Sequence, residues 1–143
     1  MSDHPEDLEK SAEKDPEDLE KLVEIAHHCF DLARQGETAA LAVLIDAGVP
    51  HSLTDAKGNS LVMLAAYHGN ADTVAELARR GADVDQVNDR GQTPLAGAVF
   101  KGEPEVVRVL VAAGADPDLG QPSARESARF FQQEELGALL DGS

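Results

Sequence analysis

Two ladders of glycine run through this chain with one period: Gly36, Gly69 and Gly102 lie 33 residues apart, and so do Gly48, Gly81 and Gly114. The same offset pairs Gly58 with Gly91, Ala82 with Ala115, Asp83 with Asp116, Asp85 with Asp118, Val74 with Val107 and Leu77 with Leu110. A period of this length means stacked supersecondary units, each burying its apolar face only against its neighbours. Glycine takes up a left-handed conformation beyond a helix end without steric cost. The ladders therefore predict helix, short turn, helix and loop in every unit.

Apolar spacing agrees. Leu41, Leu44 and Ile45 within 38–47, and Val106, Val107, Leu110 and Val111 within 104–113, recur at helical intervals. Pro104 falls at a first helical position, where its missing N–H costs nothing. Strand signals are nearly absent, because no stretch alternates polar and apolar residues between turn residues. Hydrophobic residues form 42% of the 143, but aromatics only 3%, with no Trp, so a core rests on Ala, Val and Leu in closely packed helices. The expected class is all-α.

The run Gly91-Gln92-Thr93-Pro94-Leu95-Ala96-Gly97-Ala98 through Gly102, followed by Val106-Val107, Leu110-Val111 and Gly114-Ala115-Asp116, closely resembles the ankyrin repeat. A second copy runs from Gly58-Asn59-Ser60-Leu61-Val62-Met63-Leu64-Ala65-Ala66 through Gly69 to Gly81-Ala82-Asp83-Val84-Asp85. Ser60-Leu61-Val62-Met63 and Thr93-Pro94-Leu95-Ala96 both lack the His of the four-residue signature, so the turn network it supports is expected to be weaker or rebuilt. Upstream, Cys29 to Gly48 keeps the glycine register without the Thr-Pro entry. Downstream, Ser123 to Leu140 matches after a shortening of about three residues. The resemblance implies an ankyrin-repeat solenoid: an amino-terminal cap over 22–54, repeats over 55–87 and 88–120, and a carboxy-terminal cap over 121–143.

Residues 1–21 form an acidic arm carrying nine carboxylates and three Lys. Pro5-Glu6-Asp7-Leu8-Glu9-Lys10 recurs there as Pro16-Glu17-Asp18-Leu19-Glu20-Lys21. Asp15 before Pro16, with acids in the first turn, predicts a helix from Pro16 to Arg34 with Leu19, Leu22, Val23 and Ala26 as its apolar stripe. Residues 1–14 hold too little apolar surface to offset ordering and are expected to be mobile or marginally helical.

Charge narrows the function. With 27 acids against 12 Lys and Arg, the formal net charge is −15, which disfavours general nucleic-acid binding and anionic membranes. The longest apolar run, Ala39 to Ile45, is seven residues, far below the roughly 18 of a membrane span. The start lacks the basic and apolar regions of a secretory signal, and the single Cys29 forms no internal disulfide, so a cytoplasmic, monomeric protein is expected.

No motif supports catalysis or a cofactor. Adjacent helical residues His27 and His28 point about 100° apart and do not share one metal ion readily. Asp83, Asp85 and Asp89 fail as a calcium loop because Asn88 stands where that loop needs Gly. Asp83 and Asp85 are expected instead to hydrogen-bond the next turn. Cys29 aligns with Val62 and Leu95 and reads as a buried hydrophobe rather than a nucleophile. The expectation is no metal, no cofactor and no enzyme.

What the resemblance implies is binding of another protein through the turn tips and the concave face of the first helices. Carried over by register, the contact positions are Arg34, Lys57, Asn59, Tyr67, His68, Arg80, Arg90, Gln92, Phe100, Lys101 and Phe130, with Phe131 beside the last. Five of the nine Lys and Arg after residue 21 fall among them, with Asp89 the one acid, giving an acidic protein a locally basic, aromatic groove. Such a groove suits an acidic or amphipathic segment of a partner, or the chain's own arm over 3–20 as a competitor. The alternative is an inhibitor whose acidic surface blocks a basic partner.

Overall fold

The computed structural model describes residues 16–142, and the expectations for residues 1–14, with all of the competitor arm 3–20 but its last five residues, fall outside them. Among the described residues eight helices follow one another: α1 Pro16–Gln35, α2 Thr38–Asp46, α3 Leu61–Tyr67, α4 Ala71–Arg79, α5 Pro94–Lys101, α6 Pro104–Ala112, α7 Ala124–Phe130 and α8 Glu134–Leu139. No strand occurs among the described residues, only isolated bridges between Thr54 and Ser60 and between Gly120 and Ser123.

The helices pair antiparallel and stack in two layers. The inner row α1, α3, α5, α7 packs neighbour on neighbour, as does the outer row α2, α4, α6, α8. Between the rows, Leu41, Leu61, Leu77, Leu95, Leu110, Val62, Val74, Val99, Val106 and Val107 are buried almost completely. Each such side chain contributes about 1.5–3 kcal/mol of transfer free energy. Cys29 is buried in the row with Val62 and Leu95, and burial pushes its thiol above the ordinary cysteine range.

One hydrogen-bond pattern closes each inner helix. The N–H groups of Gly36, Gly69 and Gly102 reach the carbonyls of Ala33, Ala66 and Val99, and the next N–H groups, from Glu37, Asn70 and Glu103, reach those of Leu32, Ala65 and Ala98. The fourth closure repeats it with Gln132 to Arg129 and Gln133 to Ala128. Gln132 thus takes the glycine's place at φ 55°, the one non-glycine with positive φ among the described residues. Inner-helix starts are likewise shared: Ser60, Thr93 and Ser123 each accept a bond at the N-cap, from the N–H of Met63, Ala96 and Glu126. Thr93 and Ser123 stand thirty residues apart, which is the expected shortening by three.

The expected apolar stripe on α1 is present, yet Leu19, Leu22 and Val23 are about half exposed, and burial becomes full only from Cys29 onward. The reason is length. Twenty residues of α1 span about 30 Å, whereas the seven of its neighbour α3 span about 10 Å, so the first turns of α1 extend beyond the reach of α3.

Candidate functional site

The inner helices α3 and α5 are each preceded by a turn built around an Asx residue. Asp55 Oδ1 accepts the N–H groups of Lys57 and Asn59, both at 2.9 Å. Thirty-three residues later Asn88 Oδ1 accepts those of Arg90 and Gln92, at 2.9 and 3.0 Å. Asn88 Nδ2 then ties the turns together by donating to Asn59 Oδ1 and Gln92 Oε1, and the Asp89 N–H donates to the Lys57 carbonyl. Burial raises the Asp55 carboxyl, but the bonds from Asn59 and Lys57 and the charge of Arg34 outweigh it and hold the group below the usual carboxylate range. The loops behave in the same manner: Asp83 Oδ1 accepts from the Asp85 N–H, and Asp85 Oδ1 accepts from the Asp116 N–H in the following unit.

Between turns and inner helices lie three recesses that meet at Tyr67. The first, of about 550 Å³, lies against α1 and is lined by His27, Phe30, Arg34, Lys57, Asn59 and His68 together with the acids Asp31 and Asp55. The second, of about 210 Å³, is polar and holds Lys57, Asn59, Asn88, Arg90 and Gln92 above Met63 and Leu64. The third, of about 230 Å³, is apolar, formed by Met63, Ala96, Gly97, Phe100, Pro122 and Phe131, with Gln92 at its edge. Lys101 places its Nζ 4.9 Å from the centre of the Tyr67 ring, a cation–π contact at the rim of the third recess.

The structure thus brings Arg34, Lys57, Asn59, Tyr67, His68, Arg90, Gln92, Phe100 and Lys101 to one face. Asn59 and Gln92 are there chiefly as rungs of the turn ladder. Two other residues stand differently from the sequence expectation. Arg80 ends α4 in the outer row, where its guanidinium binds Asp46 and, through Nε at 2.6 Å, Glu76. Phe130 is 81% exposed and reaches the face only through Phe131, whose ring lies 4.9 Å from its own and 5.4 Å from that of Phe100. It is Phe131 that lines the apolar recess. Asp89 is also not the single acid, since Asp31 and Asp55 enter the first recess from residues that the repeat register did not assign to the face.

Charge pairing sorts the cations. Arg79, Arg80, Arg108 and Arg125 all pair with carboxylates away from the recesses, and Arg34 is shared between Asp31 at 2.8 Å and Asp55 at 3.9 Å. Among the described residues no carboxylate lies within 4 Å of the charged nitrogens of Lys57, Arg90 or Lys101. Among the described residues Lys57, Arg90 and Lys101 therefore stand around Tyr67 without a carboxylate partner in a chain of net charge −15, and Arg129, on α7 away from Tyr67, also has none within 4 Å. The described residues hold no group of three or more His, Cys, Asp or Glu placed for a metal ion, and no helix long and apolar enough to cross a membrane.

Comparison with known proteins agrees with the architecture. Residues 29–121 match the family profile described as ankyrin repeats (3 copies). A putative ankyrin repeat-containing protein of Treponema pallidum is 35% identical over 104 residues, covering 68% of this chain and 35% of that protein. A putative ankyrin repeat protein of Pseudomonas aeruginosa is 55% identical over 51 residues, covering 36% of this chain and 30% of that protein. The chain therefore spans about a third of the length of these curated relatives. The crystal structure of the human ASB11 ankyrin repeat domain superposes with a TM-score of 0.71 at 29% identity, over 80% of this chain and 52% of that one. The glycine closures, the turn ladder, the two-row stack and these matches together place the chain in the ankyrin repeat family.

Proposed function

We propose that this protein is a non-catalytic interaction module that binds an acidic segment of a partner protein across the inner-helix face, with Tyr67 and Phe100 as anchors and Lys57, Arg90 and Lys101 steering its approach. Ankyrin repeats generally mediate protein–protein contact, and the observation that carries the finer reading is the set of three unpaired cations around Tyr67. Aromatic side chains flanked by cations concentrate binding energy, because the ring buries a large area while the charge orients the encounter. Phe131 joins Phe100 in the anchor surface, and Arg80, held in the outer row, is outside it.

Capture of partners from the source cell with the tagged full chain, quantified by mass spectrometry, tests this reading. Tyr67→Ala/Phe100→Ala and Lys57→Glu/Arg90→Glu are each expected to lose the captured partner while keeping the helical circular dichroism of the parent. A folded Tyr67→Ala/Phe100→Ala protein that captures the same partner at the same yield would refute the groove. Retention by both variants, with loss at raised salt and a basic partner, favours the acidic-inhibitor reading instead.

A further inference from the structure

The turn ladder and inner helices repeat with one register, so equivalent positions in successive units are open to direct comparison. Four residues past the N-caps Ser60 and Thr93 stand Leu64 and Gly97. Leu64 fills the floor of the polar recess, whereas Gly97 leaves the floor of the apolar one without a side chain. Backbone geometry does not require this glycine, which lies inside α5 and is not among the positive-φ glycines. Crowding does not require it either: a Cβ there would stand 3.5 Å from Met63 Cε and 3.5 Å from Tyr67 Cδ1, ordinary contact distances. A glycine in a helix interior is otherwise unfavourable.

The space it opens is lined by the rings of Tyr67, Phe100 and Phe131. At about 30 Å³ per water, about 230 Å³ is room for on the order of seven waters, or the carbon atoms of one bulky side chain. The polar recess continues from it across Met63, Tyr67 and Gln92, and carries the unpaired Lys57 and Arg90. Resting on the groove reading above, we infer that Gly97 is a specificity-determining residue: it opens a slot for a large apolar side chain, Leu or Phe, of an acidic partner segment whose carboxylates lie against Lys57 and Arg90. Charge complementarity selects the occupant, since among the described residues no carboxylate lies within 4 Å of the cations beside the slot and a basic segment would meet them directly.

Fluorescence anisotropy with the full chain tests this, using fluorescein-labelled synthetic peptides of Asp, Glu, Ser and Gly that carry one central Ala, Leu, Phe or Lys. The expected result is binding of the Leu or Phe peptide about tenfold tighter than that of the Ala peptide. Gly97→Ala should reduce this preference to about threefold or less and raise Tm. Gly97→Ser, which also adds a Cβ but lacks alanine's helix preference, should lose the same preference and so separate filling of the slot from stabilisation of the helix. Acidic peptides that bind without favouring Leu or Phe, or a preference untouched by either substitution, would overturn the slot and leave the groove standing. Absence of binding by every acidic peptide would overturn both.

Discussion

At the scale of single residues, the turn-builders Asp55 and Asn88 show how one geometry is reached with and without charge. Each accepts two backbone N–H groups through Oδ1, yet only Asp55 also feels Arg34, 3.9 Å away. Because its folded pKa lies below the unfolded value of about 3.9, the ionised form stabilises the fold above that value. That contribution is lost as pH falls through the lower, folded value. Asp55→Asn keeps the turn's acceptor, as Asn88 does, and removes the charge. Its stability deficit against the parent in urea melts should therefore be constant near neutrality, shrink as pH drops below about 4 and vanish in stronger acid. A deficit independent of pH would show that the carboxylate's charge contributes nothing. The 33-residue spacing of Asp55 and Asn88 was available in the sequence, but the residues differ, so identity matching alone passes over them.

At the scale of the element, each inner helix needs a left-handed residue after its end, and the sequence writes that requirement as glycine three times and as Gln132 once. The ladder of glycines therefore foretells three closures, and the fourth becomes legible only when counted from the N-cap Ser123. A non-glycine residue in this conformation costs about 1–2 kcal/mol, partly offset because glycine has more freedom to lose on folding. Gln132→Gly is expected to stabilise the protein by about 0.5–1 kcal/mol, measured as a higher urea midpoint at unchanged slope. An unchanged or lower midpoint would mean that the Gln132 side chain makes compensating contacts. The same local logic explains the end of α1 near Gly36, while its half-exposed Leu19, Leu22 and Val23 follow from the short reach of α3.

At the scale of the whole molecule, stability comes from a row of neighbours rather than from one central core. Leu95, fully buried on α5, lies between α3 and α7 and serves two inter-unit contacts. Leu95→Ala should cost about 2–5 kcal/mol. The control Val43→Ala on α2, where the side chain is 65% exposed, should stay within about 0.5 kcal/mol. Chemical denaturation followed by far-UV circular dichroism distinguishes them, and equal effects would contradict the stacked-row account.

Periodicity, glycine and capping residues by themselves determined the helices, their order and the three glycine closures, because these depend on backbone conformation and on neighbours at fixed sequence offsets. They also brought most of the residues of the inner-helix face together, since equivalent positions in stacked units fall in line. Tertiary structure decided the rest. Arg80 pairs with Asp46, thirty-four residues away, and leaves the face, while Arg34 meets Asp55 across a unit boundary. Phe131 rather than Phe130 turns toward Phe100, and Asn59 joins Asn88 in the ladder. Each of these depends on which way a long side chain turns and which charge it meets in space, and a repeat register carries neither.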